Sequence, residues 1–258
     1  MVQLIIPCYN EAERFNKKLF FSFVEALVNV HFIFVNDGST DTTNNLLEEI
    51  RIKALNENPD ARVTILNLPK NVGKAAAVRE GILFALKNSD TEFVSYFDAD
   101  FSTPLSEISN FIKVVEIDNR RKAVFGSRIK KAGSHIERSQ IRHYTGRIFA
   151  TVVNNLVLKI AIYDTQCGAK LFTRECAENI FKEPFISRWL FDIELIVRIQ
   201  VLYQDLDLNK IIYEQPLEVW KEMGNSKIRF KDLLKMPYQL FLIYNKQTND
   251  FKKSGRMV

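Results

Sequence analysis

Cysteine is scarce in this sequence. The three that occur, Cys8, Cys167 and Cys176, are odd in number and lack the paired spacing of a metal site. A disulfide framework and a structural zinc are therefore not expected, and the thiols read as reduced, in a cytosolic-type compartment. Glycine and proline are also few, nine and seven against twenty phenylalanines, which excludes fibrous and low-complexity architectures. No G-x-G-x-x-G occurs. Asn71-Val72-Gly73-Lys74 lacks the upstream glycine and the following Ser or Thr of a P-loop. The most apolar stretch, Phe149 to Tyr163, is broken by Asn154, Asn155 and Lys159, and it is too short for the ~20 apolar residues of a membrane span. The N-terminus runs straight into a strand-like stretch with no basic region ahead of it, so no signal peptide is expected. The expected location is the cytoplasm, free or peripheral on the cytoplasmic face of a membrane.

What is present describes a folded globule. The 258 residues are 47% hydrophobic and 12% aromatic, enough for a sizeable core. A formal charge of +5 and a pI near 9.0 point to an anionic partner, without choosing among phosphates, nucleic acid and an anionic membrane. Strand-like runs at Gln3–Tyr9, His31–Asn36, Arg62–Leu68, Glu92–Phe97 and Lys122–Gly126 alternate with amphipathic stretches near 12–29, 41–57, 73–88 and 105–119. That alternation predicts βαβ units: an α/β fold with a mostly parallel sheet flanked by helices, in a single domain. Ser39, Thr40 and Asp41 are placed to cap the second helix, and Thr103-Pro104 to open the fourth. Further on, a basic loop leads into a long helix from about Ser139 to Ala161. A strand near Asp164–Phe172, a helix near 191–204, a strand near 210–219 and a tail helix near 231–247 follow. No internal repeat or linker interrupts the chain.

In parallel sheets ligands bind beyond the carboxyl ends of the strands, and the polar clusters of this chain fall there. Asp98-Ala99-Asp100 follows the fourth strand. Residues two apart in extended chain face the same way, so the two carboxylates form a half-built site for a hard divalent cation. Such a short motif also arises as a solvated turn. Asn36-Asp37-Gly38-Ser39-Thr40-Asp41 ends the second strand, where Asp37 can accept hydrogen bonds from a base or ribose; an ordinary capped turn would read the same. Pro7-Cys8-Tyr9-Asn10-Glu11 ends the first, with Tyr9 a stacking face and Glu11 an acceptor for ribose hydroxyls. Lys74 or Arg79 can approach a diphosphate near a helix start.

Taken together, these segments resemble the signature series of family-2 inverting glycosyltransferases, whose fold is of the GT-A type. The resemblance implies that the first two segments, with Pro7, Tyr9, Glu11 and Asp37, hold the nucleoside of a nucleotide sugar. It implies that Asp98 and Asp100 hold Mg²⁺ or Mn²⁺ on the diphosphate. In the second half, the segments Asp164–Phe172, Arg188–Leu195 and Trp220-Lys221-Glu222 with Ser226-Lys227 resemble dolichyl-phosphate β-glucosyltransferases and bacterial polyprenyl-phosphate glycosyltransferases. Gly126-Ser127-Arg128 resembles a basic diphosphate contact, and Ser139-Gln140-Ile141-Arg142 followed by Gly146 an acceptor-phosphate segment. The chain departs from these groups in showing no membrane-spanning helix and in carrying Asn225 where a small residue is common.

The expectations are therefore as follows. Residues 1–228 form the glycosyltransferase domain, with a nucleotide-sugar half over 1–128 and an acceptor half over 129–228; residues 229–258 form an amphipathic helix and basic tail. The donor is bound by Pro7, Tyr9, Glu11, Asp37, Lys74, Asp98, Arg128 and Lys227, and the acceptor by Ser139, Arg142 and Trp220. Hexose, glucose from UDP-glucose above all, passes with inversion to a polyprenyl or dolichyl phosphate at a membrane surface. A dianionic phosphate needs no strong base, whereas a saccharide hydroxyl would need Asp192 or Glu194. An Asp192 paired with Arg188 at a helix start is the structural alternative. GDP-mannose as donor, a saccharide acceptor, a sugar-phosphate nucleotidyltransferase and a non-catalytic nucleotide- or RNA-binding module are the competing readings. A nucleotidyltransferase would show a Gly-rich loop with Arg after the first strand. An RNA binder would show aromatics beside basic residues on an exposed sheet. No nucleic-acid partner is expected; a homo-oligomer or a membrane-protein partner is compatible with the sequence.

Overall fold

A computed structural model describes residues 1–24, 29–137, 151, 153–158, 160–223 and 230–253. Five strands come first, β1 (Val2–Cys8), β2 (Val30–Asn36), β3 (Arg62–Asn67), β4 (Phe93–Phe97) and β5 (Ala123–Ser127). They alternate with α1 (Lys17–Val24), α2 (Thr43–Glu57), α3 (Lys74–Ala85) and α4 (Glu107–Ile117). Next along the chain are β6 (His135–Glu137), a π-helical turn at Asn154–Leu158, β7 (Ala169–Thr173), α5 (Arg174–Ile180) and α6 (Phe191–Leu202). The short α7 (Leu208–Ile211), β8 (Ile212–Pro216), β9 (Val219–Lys221) and α8 (Phe230–Lys253) complete the described elements. The seven-stranded sheet runs β3-β2-β1-β4-β7-β5-β8, parallel except for β7, which is antiparallel to both neighbours. This is the expected α/β fold, a mostly parallel sheet between helices.

Strand alternation divides the core into two layers. Ile5, Ile33, Val35, Val94, Tyr96, Phe125 and Phe172 face α3, α5 and α6. Leu4, Ile6, Phe32, Phe34, Phe97, Val124 and Leu171 face α1, α2 and α4. Central strands covered on both sides must be apolar throughout, which is why β1 and β2 read as continuous hydrophobic runs.

The strand order turns between β1 and β4. Pairing of β1 with β2 continues to Cys8 opposite Asn36, but pairing with β4 ends at Ile5 opposite Tyr96. Beyond that point the two strands part, and Pro7, which has no N–H to donate, falls in the stretch unpaired on the β4 side. The crevice so opened is where an open α/β sheet binds its ligand.

Several local expectations are corrected. The fourth helix begins at Glu107, not at Pro104, because Pro104–Ser109 first winds as a tight turn with i to i+3 bonds. Of the three residues expected to cap α2, Asp41 does so, accepting from the N–H of Thr43 at 2.9 Å, whereas Ser39 and Thr40 bond to Asn10. The strand near 210–219 is two strands, since β9 leaves the main sheet to pair with β6. Most of the long helix expected at Ser139–Ala161 lies outside the described residues. No helix among the described residues is long and apolar enough to cross a membrane.

Candidate active site

Asp98 follows β4, and its backbone N–H donates to the carbonyl of Gly168 at 2.9 Å. Gly168 has no side chain because there is no room for one: a Cβ there would lie 2.0 Å from Asp98 Oδ2. Asp100 Oδ1 accepts from the N–H of Ser102 at 2.9 Å. Phe101, just beyond, takes φ +53, a conformation rare for a bulky residue. Its buried ring packs 5.0 Å from Phe15 and 6.3 Å from Phe20. Burial of that ring holds the turn in place, and the turn holds the two carboxylates. Burial, then the neighbouring Asp98 charge, raises the Asp100 carboxyl above the ordinary aspartate value. Like charges set this close call for a cation, and one already stands beside them: Lys74, the first residue of α3, puts Nζ 2.5 Å from Asp98 Oδ1. Burial lowers the Lys74 ammonium, but Asp98, Asp192 and Asp100 outweigh it and hold it above the ordinary lysine value. The described residues contain no cluster of three or more metal-ligating side chains. Two carboxylates without a third suit a cation whose other ligands are water and phosphate oxygens, so the residues present fit Mg²⁺ or Mn²⁺.

The two N-terminal segments interlock into one rim. Thr40 N donates to Asn10 Oδ1 at 2.9 Å, Asn10 N to Ser39 Oγ at 3.1 Å, and Glu11 N to Thr43 Oγ1 at 2.8 Å. Gly38, with φ +59, passes so close to Lys70 that a Cβ would lie 2.3 Å from its carbonyl carbon. Asp37 is buried and commits both oxygens to the loop after β3, accepting from Val72 N at 2.7 Å, Gly73 N at 2.9 Å and Asn71 Nδ2 at 3.0 Å. Burial raises its carboxyl, against those N–H groups and the Arg188 guanidinium, which lower it. Asp37, expected to face a base, thus has both oxygens engaged by the 71–73 loop. Tyr9 stands at the mouth, 36% exposed.

On the far side Arg128 forms a two-pronged pair with Asp164, Nε to Oδ2 at 2.6 Å and Nη2 to Oδ1 at 2.7 Å. Its guanidinium also lies 5.2 Å from the ring of Trp220, itself buried. Burial lowers the Arg128 guanidinium, but Asp164 more than compensates, and it stays firmly protonated. Asp192 does not pair with Arg188. Its Oδ1 accepts from Lys170 Nζ at 2.6 Å and from the Tyr96 hydroxyl, and both partners are wholly buried. Lys170 also donates to the carbonyls of Cys167 at 2.7 Å and Thr165 at 3.4 Å. One ammonium therefore ties α6 to the loop that backs Asp98.

Two candidates are displaced. Glu194 lies on another side of α6, paired with Arg198 at 2.7 Å and accepting from Ile186 N, because two residues along a helix turns the side chain well away. Arg79 turns to Glu80 and the Lys182 carbonyl. Ser139, Arg142 and Lys227 lie outside the described residues, although Met223, on the chain that leads to Lys227, donates to Ser102 Oγ at 3.4 Å beside Asp100. Lys170, Asp164 and Tyr96 were not singled out as site residues. The signal was there in part: a lysine and a tyrosine inside otherwise apolar strand runs need buried partners.

Comparisons with known proteins bear on this geometry. A model of the family described as Glycosyl transferase family 2 matches residues 3–181. A dolichyl-phosphate beta-glucosyltransferase of Trichomonas vaginalis is 34% identical over 255 residues, 93% of this chain and 69% of the relative. That of Dictyostelium discoideum is 32% identical, over 88% of this chain and 68% of the relative. That of Homo sapiens is 29% identical, over 90% and 74%. Among solved structures, glucosyl-3-phosphoglycerate synthase of Mycobacterium tuberculosis, in complex with Mn²⁺, UDP-glucose and phosphoglyceric acid, is similar with a TM-score of 0.66. It is 16% identical, covering 96% of this chain and 79% of that one, a likeness of fold alone.

Proposed function

The chain belongs to glycosyl transferase family 2, and from that premise we propose that it transfers glucose from UDP-glucose to a polyprenyl or dolichyl phosphate, inverting the anomeric carbon. The observation that carries this reading is the carboxylate pair Asp98 and Asp100 at the crevice where β1 and β4 part, with Lys74 on it. The names of the relatives support the glucosyl donor and the lipid-phosphate acceptor.

In this reading the rim of residues 7–12 and 36–43 receives the nucleoside. Tyr9 lies against the base, and Asp37 shapes the pocket through the 71–73 loop. Asp98 and Asp100 hold the divalent cation, which when bound offsets the charge developing on the leaving diphosphate. Lys74 adds a second positive charge at the same point, and Arg128, braced by Asp164, contributes to the field from the far wall. An acceptor phosphate monoester, with a second pKa of about 6, is largely dianionic at neutral pH and attacks without a base. Oδ1 of Asp192 is doubly occupied, and among the described residues no hydrogen bond reaches its Oδ2; a saccharide hydroxyl as acceptor would rely on that oxygen. Ser139 and Arg142 are assigned to the acceptor phosphate, Trp220 to the acceptor side as a brace for Arg128, and Lys227 to closure over the donor. Residues 1–228 would make up the catalytic unit and 229–258 a peripheral membrane contact.

The test is a panel of nucleotide sugars scored first by calorimetry with Mn²⁺ and then by transfer to a polyprenyl phosphate. UDP-glucose should bind best and support transfer, and chelation by excess EDTA should stop it. Tighter binding of GDP than of UDP would move the donor to GDP-mannose, and full activity in EDTA would remove the metal from the mechanism.

A further inference from the structure

The cations around the crevice are nearly all committed to carboxylates of the protein. Lys74 is held by Asp98, Arg128 by Asp164 and Arg79 by Glu80. Every other arginine among the described residues likewise donates to some protein atom. Arg188 is the exception. Among the described residues it has no hydrogen-bond or ion-pair partner, although its place is not that of a loose surface side chain. Its stem lies on Gly73, so that a Cβ on Gly73 would come within 3.1 Å of Arg188 Cδ and Nε. Its charge also acts on Asp37, opposing in small part the rise that burial imposes on that carboxyl. Its backbone is anchored as well: Ser187 Oγ accepts from Trp189 N and Leu190 N and donates to Gln239 of α8 at 2.7 Å. Arg188 is therefore an exposed residue whose stem is held on Gly73, the neighbour of Lys74 in the chain and a donor to the Asp37 carboxylate.

We infer that Arg188 takes a phosphate oxyanion of a substrate, an inference that rests on the donor and acceptor assigned above. A guanidinium offers paired N–H donors that match two phosphate oxygens, and a stem already laid on a glycine loses little freedom when it binds. In the proposed reaction both substrates carry phosphate, the donor as a nucleoside diphosphate and the lipid acceptor as a monophosphate.

The test uses the full chain with Arg188→Ala and Arg188→Lys, in calorimetry with uridine, UDP and inorganic pyrophosphate in the presence of Mn²⁺, and in transfer from UDP-glucose to a short-chain polyprenyl phosphate. If the donor phosphate is the ligand, Arg188→Ala weakens UDP by about tenfold or more and leaves uridine unchanged. If the acceptor phosphate is the ligand, UDP binding holds and KM for polyprenyl phosphate rises by about tenfold or more. In either case Arg188→Lys, which keeps the charge and loses the fork, falls between. UDP affinity and acceptor KM both within about twofold of wild type would overturn the inference. A wild-type protein that transfers no glucose would fail the functional reading, while the UDP and pyrophosphate titrations of the Ala variant would still decide for or against Arg188.

Discussion

Asp100 is the residue whose loss should cost most for the least structural change, since its backbone partner is Ser102, two residues on. Asp100→Ala is expected to lower turnover on the order of a hundredfold or more and to abolish the metal dependence of UDP binding. The thermal midpoint should stay near wild type; a parallel collapse of the midpoint would mean that the variant reports folding instead. Gly168→Ala tests the same carboxylate from behind. The added methyl would displace Asp98, so metal-dependent donor binding should weaken while the secondary structure, read by circular dichroism, remains. The cysteines answer a different question. Burial pushes the Cys167 thiol up to about 11 and Cys176 up to about 12, and Cys8 is buried too. At pH 8 the native protein should resist a thiol reagent that reacts with all three sites once it is unfolded. Because the folded thiols ionise later than unfolded ones, this part of the stability is complete below the ordinary thiol pKa of about 8.5 and is lost as pH rises through 11 to 12. Midpoints measured from pH 7 to 11 check the sign.

At the scale of elements, the tie between α6 and β7 is a buried ion pair, Lys170 with Asp192. Lys170→Met alone strands a buried carboxylate and should destabilise by about 3–5 kcal/mol. Lys170→Met combined with Asp192→Leu removes both charges and should recover most of that loss in chemical denaturation. A double variant no more stable than the single one would mean that the ammonium matters chiefly through the Thr165 and Cys167 carbonyls. The frame was legible at this scale because period-2 and helical patterns are local: the strands of the first half were anticipated within a residue or two. The start of α4 was misplaced because Pro104 permits a helix start equally with a tight turn. The split between β8 and β9 was invisible, since pairing with β6 depends on a partner some eighty residues away.

For the molecule as a whole, a net positive charge and two exposed aromatics on α8 point the same way. Tyr238 is 65% exposed and Phe241 57%, three residues apart on α8, and the chain carries +5. The protein should sediment with vesicles of phosphatidylserine and phosphatidylcholine, less so at high salt. Tyr238→Ser with Phe241→Ser should weaken that partition by about tenfold without altering UDP affinity. Failure of the wild type to sediment would remove membrane-surface association from the proposed function.

By itself the sequence determined the α/β frame, the strand ends that carry polar clusters, and the family. Each depends on short-range order: which residues alternate, and which follow a strand. Only the tertiary structure decided partners. That Asp192 meets Lys170 and not Arg188, that Arg128 is locked to Asp164, that Asp37 is engaged by the 71–73 loop, and that Arg188 has no partner among the described residues all turn on side chains from distant segments competing for the same few oppositely charged groups. Such pairings are chosen by distance and burial in the folded chain, quantities that neighbouring residues in sequence do not contain.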